Sequence, residues 1–283
     1  MERWLEDSPF ARALGVRLEA LVPGCARLLL PFAESNTNPG QVLHGGVAAS
    51  LAALGAQVVT RATLGPDAGP WHTAGIQVSY LAAARAQDVV AESRLLREGK
   101  ELCFVAIDVG TDDGKPIAHA SALVRGRFAA PPSSLPTAAG DRGEARPGPL
   151  GPQIGKLPFV SGRGIRIEHM QDGLSRAVMP WREANADASG GVHEGPVLAL
   201  LDTTGAMAAW GLAGPGPFKA STPAIQAQIL APAPREDLVA YGRNVARDGD
   251  LFWSDVDVAT ASGRRVVARG TVVYRIVGAA PVS

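Results

Sequence analysis

The sequence predicts an α+β protein of two tandem domains, each an antiparallel sheet wrapped around a long central helix. Three observations carry this reading. First, the chain of 283 residues repeats itself. When it is shifted so that His193 falls on His44, "PFAESNTNPGQVLHGG" lies on "PWREANADASGGVHEG" and "LCFVAIDVGTDDGK" on "LFWSDVDVATASGR". About 31 of the roughly 120 aligned pairs from position 9 to 128 are identical, where composition alone gives about 9. Second, each copy holds one segment that is apolar nearly all round, which marks a helix enclosed on most sides. Third, the rest of each copy reads as short strand-like runs joined by turn sequences.

The elements follow in the same order in both copies. A helix over "ERWLEDSPFARAL" precedes strand runs near 15–21 and 25–31, and a polar loop with Asn, Pro and Gly comes next. The enclosed helix spans 46–63, and its counterpart spans 195–212. Strand runs near 75–82, 88–97, 101–110 and 116–127 close the unit. "DDGK" and its partner "ASGR" sit where hairpin turns belong. These limits give an N-terminal domain over 1–128, a Pro/Gly/Ala-rich linker over 129–156 that crosses the surface, and a C-terminal domain over 157–283.

The bulk composition excludes several classes. Lys and Arg number 27, as do Asp and Glu, so the formal net charge is zero. That leaves no electrostatic case for nucleic acid or an anionic membrane. No uninterrupted apolar run reaches the roughly 18 residues of a membrane span, and the first ten residues lack a basic-then-apolar leader, so a cytoplasmic location is expected. Cys25 and Cys103 lie in apolar runs and read as packing residues. No Cys/His spacing suits zinc and no phosphate-binding glycine loop is present, so neither a metal nor an organic cofactor is expected.

One residue breaks the apolar pattern. In "GVHEGPVLALLDTTGAM", Asp202 sits in the middle of the second enclosed helix. A carboxylate withdrawn from water costs several kcal/mol unless something neutralises or uses it.

The stretch "NPGQVLHGGVAASLAAL" resembles the signature of the PaaI-like acyl-CoA thioesterases, whose fold is the hotdog. The pattern is Asn, a short turn, His-Gly-Gly, an apolar helix, and an acid nine residues after the His in an Asp-Thr or Asp-Asn context. "IQVSYLAAA" and "DVVAESRLLREGKELCFVAIDV" resemble the second half of that family. The resemblance covers both copies and implies a double hotdog, with the two central helices antiparallel and further association of such chains into a homo-oligomer. It implies an acyl-CoA substrate and a thioesterase reaction. The alternative is a catalytically silent acyl-CoA-binding hotdog protein; the loop pattern of hotdog hydratases is not found.

The same resemblance assigns site residues. Asp202 lies roughly 13 Å along its helix from His193, too far to serve its own helix start. An antiparallel neighbour would bring it to the start of the first-copy helix, so the site would be composite. There Gly45, having no side chain, would let a thioester approach its amide, which would hold the oxyanion, and Gly46 beside it is a candidate for substrate contact. Asp202 would act as base or nucleophile. Asn38 would place the water or the carboxylate, Thr222 could hydrogen-bond Asp202, and His44 would hold the loop and helix start. Thr203, Leu54, Arg97 and Lys100 are candidates for substrate contact, the last two towards the CoA end. Structural readings stay open for Asp202, His44 and Thr222, and a solvated turn for "LLREGKEL". The mirror site would combine Asp187, His193, Glu194 and Ala53 in place of Asn38, His44, Gly45 and Asp202. Ala53 offers no base, so this second site is expected to be inactive.

Overall fold

A computed structural model describes residues 1–126, 134–140 and 144–278. Six strands in each half build one sheet: β1 Arg17–Val22, β2 Cys25–Leu30, β3 His72–Tyr80, β4 Val89–Glu98, β5 Leu102–Thr111 and β6 Pro116–Arg125 in the first. The second half contributes β7 Arg166–Gln171, β8 Leu174–Met179, β9 Lys219–Ile229, β10 Leu238–Asp248, β11 Leu251–Thr260 and β12 Val266–Val277. The halves join edge to edge in a 12-stranded sheet of order β1-β2-β4-β5-β6-β3-β9-β12-β11-β10-β8-β7. The seam is an antiparallel pair in which Gln77 faces Gln226. These two glutamines are counterparts in the repeat, so the pseudo-twofold axis passes between them. The architecture is a double hotdog.

The central helices are α3 (Gly45–Leu64) and α6 (Glu194–Ala213), within one residue at each end of the spans read from sequence. Each begins on a histidine in extended conformation whose ring caps the helix: His44 Nδ1 accepts from Gly46 N–H at 2.9 Å, and His193 Nδ1 from Gly195 N–H at 3.0 Å. Nearly every side chain between Gly46 and Thr60, and between Gly195 and Trp210, is buried. Both helices are, by length and composition alone, long and apolar enough to cross a membrane, contrary to the reading that no such run exists. Here 78% of each apolar window is buried inside the protein, because the sheet wraps around the helix and the second helix covers the remaining side.

The two helices cross at small residues. A Cβ on Gly46 would stand 2.7 Å from Ala199 Cβ and 3.0 Å from its Cα, closer than packed atoms tolerate. Gly46→Ala is therefore expected to push the helices apart and destabilise the protein by about 1–3 kcal/mol, read as a lower urea midpoint at unchanged slope. An unchanged midpoint would show that the crossing can slide.

Two local expectations change. The predicted N-terminal helix is two helices, α1 (Glu2–Asp7) and α2 (Pro9–Leu14), broken at Ser8. Proline disfavours helical geometry in the residue before it, and Ser8 instead caps α2 through Ala11 N–H at 3.4 Å. Residues 129–133 and 141–143 of the expected linker lie outside the described residues. The rest is more than a surface strap. It includes one short helix, α4 (Gly151–Ile154), and α5 (Pro158–Arg163) begins just beyond it. Thr137 pairs with Arg265, and Ala138 is buried against Val239, Ala259 and Val266 on the outer face of the second half. The helices α2 and α5 are exchanged between halves: Phe10 packs on His193 at 4.8 Å between ring centroids, and Phe159 on His44 at 4.7 Å.

Cys103 is buried, Cys25 is half-buried, and both are free thiols. His119 faces Asp108 across β5 and β6, with Nδ1 2.7 Å from Oδ1 on the exposed face.

Candidate active site

The start of α3 meets the middle of α6. Of the first four amides of α3, Gly46 donates to the His44 ring, and Val47 and Ala48 reach the His44 carbonyl. Among the described residues nothing accepts from Gly45 N–H, so this is the free donor that a helix start leaves over. Because His44 Nδ1 is an acceptor, the ring proton belongs on Nε2. Burial drives the His44 pKa down to about 4, so the ring is neutral. His44 thus holds the turn, and the amide of Gly46 is already committed to it.

Asp202 is 5% exposed and points at this helix start. A Cβ on Gly45 would stand 3.1 Å from Asp202 Oδ2, so a glycine is what lets the carboxylate and the backbone approach. The other oxygen, Oδ1, accepts from Thr222 Oγ1 at 2.8 Å. Burial raises the Asp202 pKa to about 6, partly offset by the Thr222 bond. Thr203 is also buried, and its hydroxyl has no partner among the described residues.

Two aromatic residues absent from the sequence reading complete the surroundings. Tyr80, at the end of β3, lays its ring over Gly45 and donates its hydroxyl to the Gly45 carbonyl at 3.1 Å. Burial, and then the Asp202 charge, raise its pKa well above the usual value. Tyr274 on β12 accepts from Trp210 Nε1 at 3.2 Å, and burial pushes its pKa up to about 12, with Asp202 adding to the shift. The phrase "VSYLAAA" held the signal for Tyr80, since a tyrosine ends the strand that the repeat pairs with "AQILAPA". Nothing local marks Tyr274, whose strand position becomes relevant only when β12 lies beside α6.

Comparison with known proteins decides the family. A family model described as the acyl-CoA thioesterase N-terminal domain matches residues 33–125. A protein of Halobacterium salinarum named as an esterase is 31% identical over 131 residues, covering 45% of this chain and 86% of that protein. Acyl-coenzyme A thioesterase 13 of Homo sapiens is 30% identical over 103 residues, covering 35% of this chain and 71% of that protein. The chain belongs to the hotdog-fold acyl-CoA thioesterase family. It is a thioester hydrolase. Solved structures share the fold over the whole chain. The tesB protein of Mycobacterium avium subsp. paratuberculosis has a TM-score of 0.68 at 16% identity, over 94% of this chain and 99% of that one. Acyl-CoA thioesterase II TesB2 from Mycobacterium marinum has a TM-score of 0.63 at 14% identity, over 92% and 95%.

Not every candidate residue of this hotdog thioesterase is brought to Gly45. Asn38 lies in a two-residue ladder with Val42, and among the described residues its amide makes no hydrogen bond to Asp202. Leu54 is fully buried in the core and has no surface for a ligand. Arg97 and Lys100 sit at the far end of the first-half sheet. Tyr80 is in line with Ala118, Val109 and Ala91 across the strands, whereas Arg97 faces Phe104. Six residues along a strand separate Ala91 from Arg97, about 20 Å. Arg85 is nearer the loop: it pairs with Val42 in an isolated bridge and its guanidinium donates to the Gly40 carbonyl.

At the mirror position Glu194 extends its side chain away from the start of α6. Its oxygens accept from Thr73 N–H at 2.8 Å and Gln57 Nε2 at 2.7 Å. Thr73 is the repeat counterpart of Thr222, so a carboxylate again reaches this strand position, supplied by the helix start instead of the helix middle. Burial raises the Glu194 pKa, against the pull of those hydrogen bonds. Among the described residues no group of His, Cys, Asp or Glu is arranged to hold a metal.

Proposed function

We propose that acyl-CoA is hydrolysed at a composite site in which Asp202 of the second half acts on a thioester held at Gly45 of the first. The observation that carries this is the 3.1 Å separation between Asp202 Oδ2 and the Cβ position of Gly45, beside the one uncommitted amide of the α3 start. Asp202 takes a proton from water, the water oxygen bonds to the thioester carbon, and Gly45 N–H stabilises the oxyanion. The tetrahedral intermediate then expels the CoA thiolate, which takes up a proton, and leaves the carboxylic acid. Thr222 fixes the carboxylate rotamer. Tyr80 fixes the first turn of the helix by holding the Gly45 carbonyl.

The site pattern follows the PaaI-like signature, whereas the two-domain chain is shared with the tesB protein. The reading therefore combines PaaI-like chemistry with a TesB-like architecture. Glu194, clamped by Thr73 and Gln57, and Ala53, the repeat counterpart of Asp202 that offers no acid, support one hydrolytic site per chain. A cytoplasmic location and further association of the chains belong to the same reading, the association resting on the resemblance to hotdog proteins.

The decisive assay is release of free CoA from a panel of aliphatic and aromatic acyl-CoAs, followed with a thiol reagent. No release from any member would sink the reading. The pH dependence has a definite sign. Because the base must be unprotonated, kcat is expected to rise with pH through about 6 and level off above it, following the raised Asp202 pKa. A kcat that stays flat from pH 5 to 8 would remove Asp202 as the base.

A further inference from the structure

At the start of α6, a cavity of about 360 Å³ opens between the two halves. Val197, Ile229 and Val267 give it apolar walls, and Arg61 from the last turn of α3 also lines it. The guanidinium lies 4.3 Å from the Trp4 ring centre and 5.3 Å from that of Trp71. Its Nη2 donates to Gln57 Oε1 at 3.2 Å, its Nε is buried without a partner, and among the described residues it forms no ion pair. Burial lowers the Arg61 pKa to about 10, against the pull of Glu194 and Asp187. Arg61 is thus a half-buried cation at the wall of a cavity, in contact with no counter-ion, and an anionic group entering the cavity would supply one.

The carboxylates around the cavity do not meet Arg61. Glu194 is engaged by Thr73 and Gln57, and Asp187 Oδ1 accepts from the amide and hydroxyl of Ser189, both at 2.7 Å. His193 also lines the space. Its Nδ1 is taken by Gly195, and burial lowers its pKa to about 4, so it is neutral and can only donate from Nε2.

We propose that this cavity binds a monocarboxylate with an apolar body, its head group on the free edge of Arg61 and its body along Val197, Ile229 and Val267. A guanidinium edge matches a carboxylate in shape and charge. Asp187 and Glu194 also line the cavity and repel anions, so a ligand with a single negative charge placed on Arg61 is disfavoured far less than the several charges of CoA. Such an acid is what thioester hydrolysis releases, so that its source is the chain's own product rests on the proposed reaction; the binding does not.

The test is calorimetric titration of octanoate, benzoate, octanamide and CoA into the full-length protein and three variants. Octanoate or benzoate is expected to bind wild type and Asp202→Asn equally, and Arg61→Gln and Val197→Phe at least about tenfold more weakly. Octanamide, which keeps the body and loses the charge, is expected to bind wild type at least about tenfold more weakly than octanoate. Val197→Phe fills the cavity without touching Arg61, and carries the test if Arg61→Gln does not fold. Carboxylate affinity unchanged in these two variants, affinity lost in Asp202→Asn instead, or CoA preferred over octanoate at this site would overturn the proposal. For the source, octanoate is expected to slow octanoyl-CoA hydrolysis in wild type more than in Arg61→Gln; equal effects would overturn the product as the physiological ligand. Binding is read without turnover, so a protein that binds octanoate through Arg61 yet hydrolyses no acyl-CoA sinks the proposed reaction and leaves this inference standing.

Discussion

Asp202→Asn is expected to lower acyl-CoA turnover by about 100-fold or more, because the amide cannot take the proton that the attacking water must lose. The same change is expected to stabilise the fold at neutral pH. Burial raises the Asp202 pKa from the ordinary 3.8 to about 6, so ionising the group costs the folded state more than the unfolded one. The folded protein binds this proton more tightly, so stability falls as pH rises between those two values. The accumulated cost above pH 6 is of order 3 kcal/mol. Asparagine escapes it while keeping a hydrogen-bonding partner in Thr222. The variant's melting temperature should therefore exceed wild type by several degrees at pH 8, with the gain shrinking towards pH 4. Full activity in Asp202→Asn would remove it from the chemistry. Lost activity with a lower melting temperature at pH 8 would mark it as a structural acid whose hydrogen bonds outweigh its desolvation.

Gly45→Ala is expected to reduce kcat/KM by about 100-fold while leaving α3 intact. The added methyl would stand 3.1 Å from Asp202 Oδ2 and 3.5 Å from the Tyr80 ring, in the space through which a thioester carbonyl must reach the Gly45 amide. Alanine is at least as good a helix former as glycine, so circular dichroism should be unchanged. The matched control is Glu194→Gln at the mirror position, expected to keep turnover within about twofold of wild type. Loss of activity in Glu194→Gln, with Gly45→Ala unaffected, would exchange the roles of the two sites.

The pairing of these residues shows where sequence reading reaches its limit. His44 as the helix start was legible, because a histidine before two glycines and an apolar helix leaves few other roles. Its consequence was not: the ring consumes the Gly46 amide, which singles out Gly45 as the free donor. Leu54 looked available because it is apolar and near the acid in the repeat, yet helix rotation places it wholly in the core. Arg97 and Lys100 were candidates for the CoA end because they are basic and three residues apart, with a solvated turn left open; their hairpin lies at the opposite end of its strands from Tyr80. Arg61 drew no attention at all, since a single arginine near a helix end is ordinary until its surroundings are known.

What the sequence determined by itself was everything written in local pattern and in repetition. The tandem copies, the two enclosed helices, the antiparallel strands and their turns all follow from side-chain periodicity and from one half matching the other. Asp202 could be singled out because a charge inside an apolar helix conflicts with its neighbours whatever the fold. The resemblance implied that Asp202 would meet Gly45; the tertiary structure alone decided the other meetings, Glu194 with Thr73 across the halves, Tyr80 over the α3 start within the first half, and Arg61 with no carboxylate in contact. These contacts join residues from about 35 to more than 150 positions apart, and those that cross between the halves depend on the Gln77–Gln226 seam setting how the two helices lie against each other. Local sequence fixes where a helix begins and which residues it buries, but not which residue of a second helix lies beside its first turn.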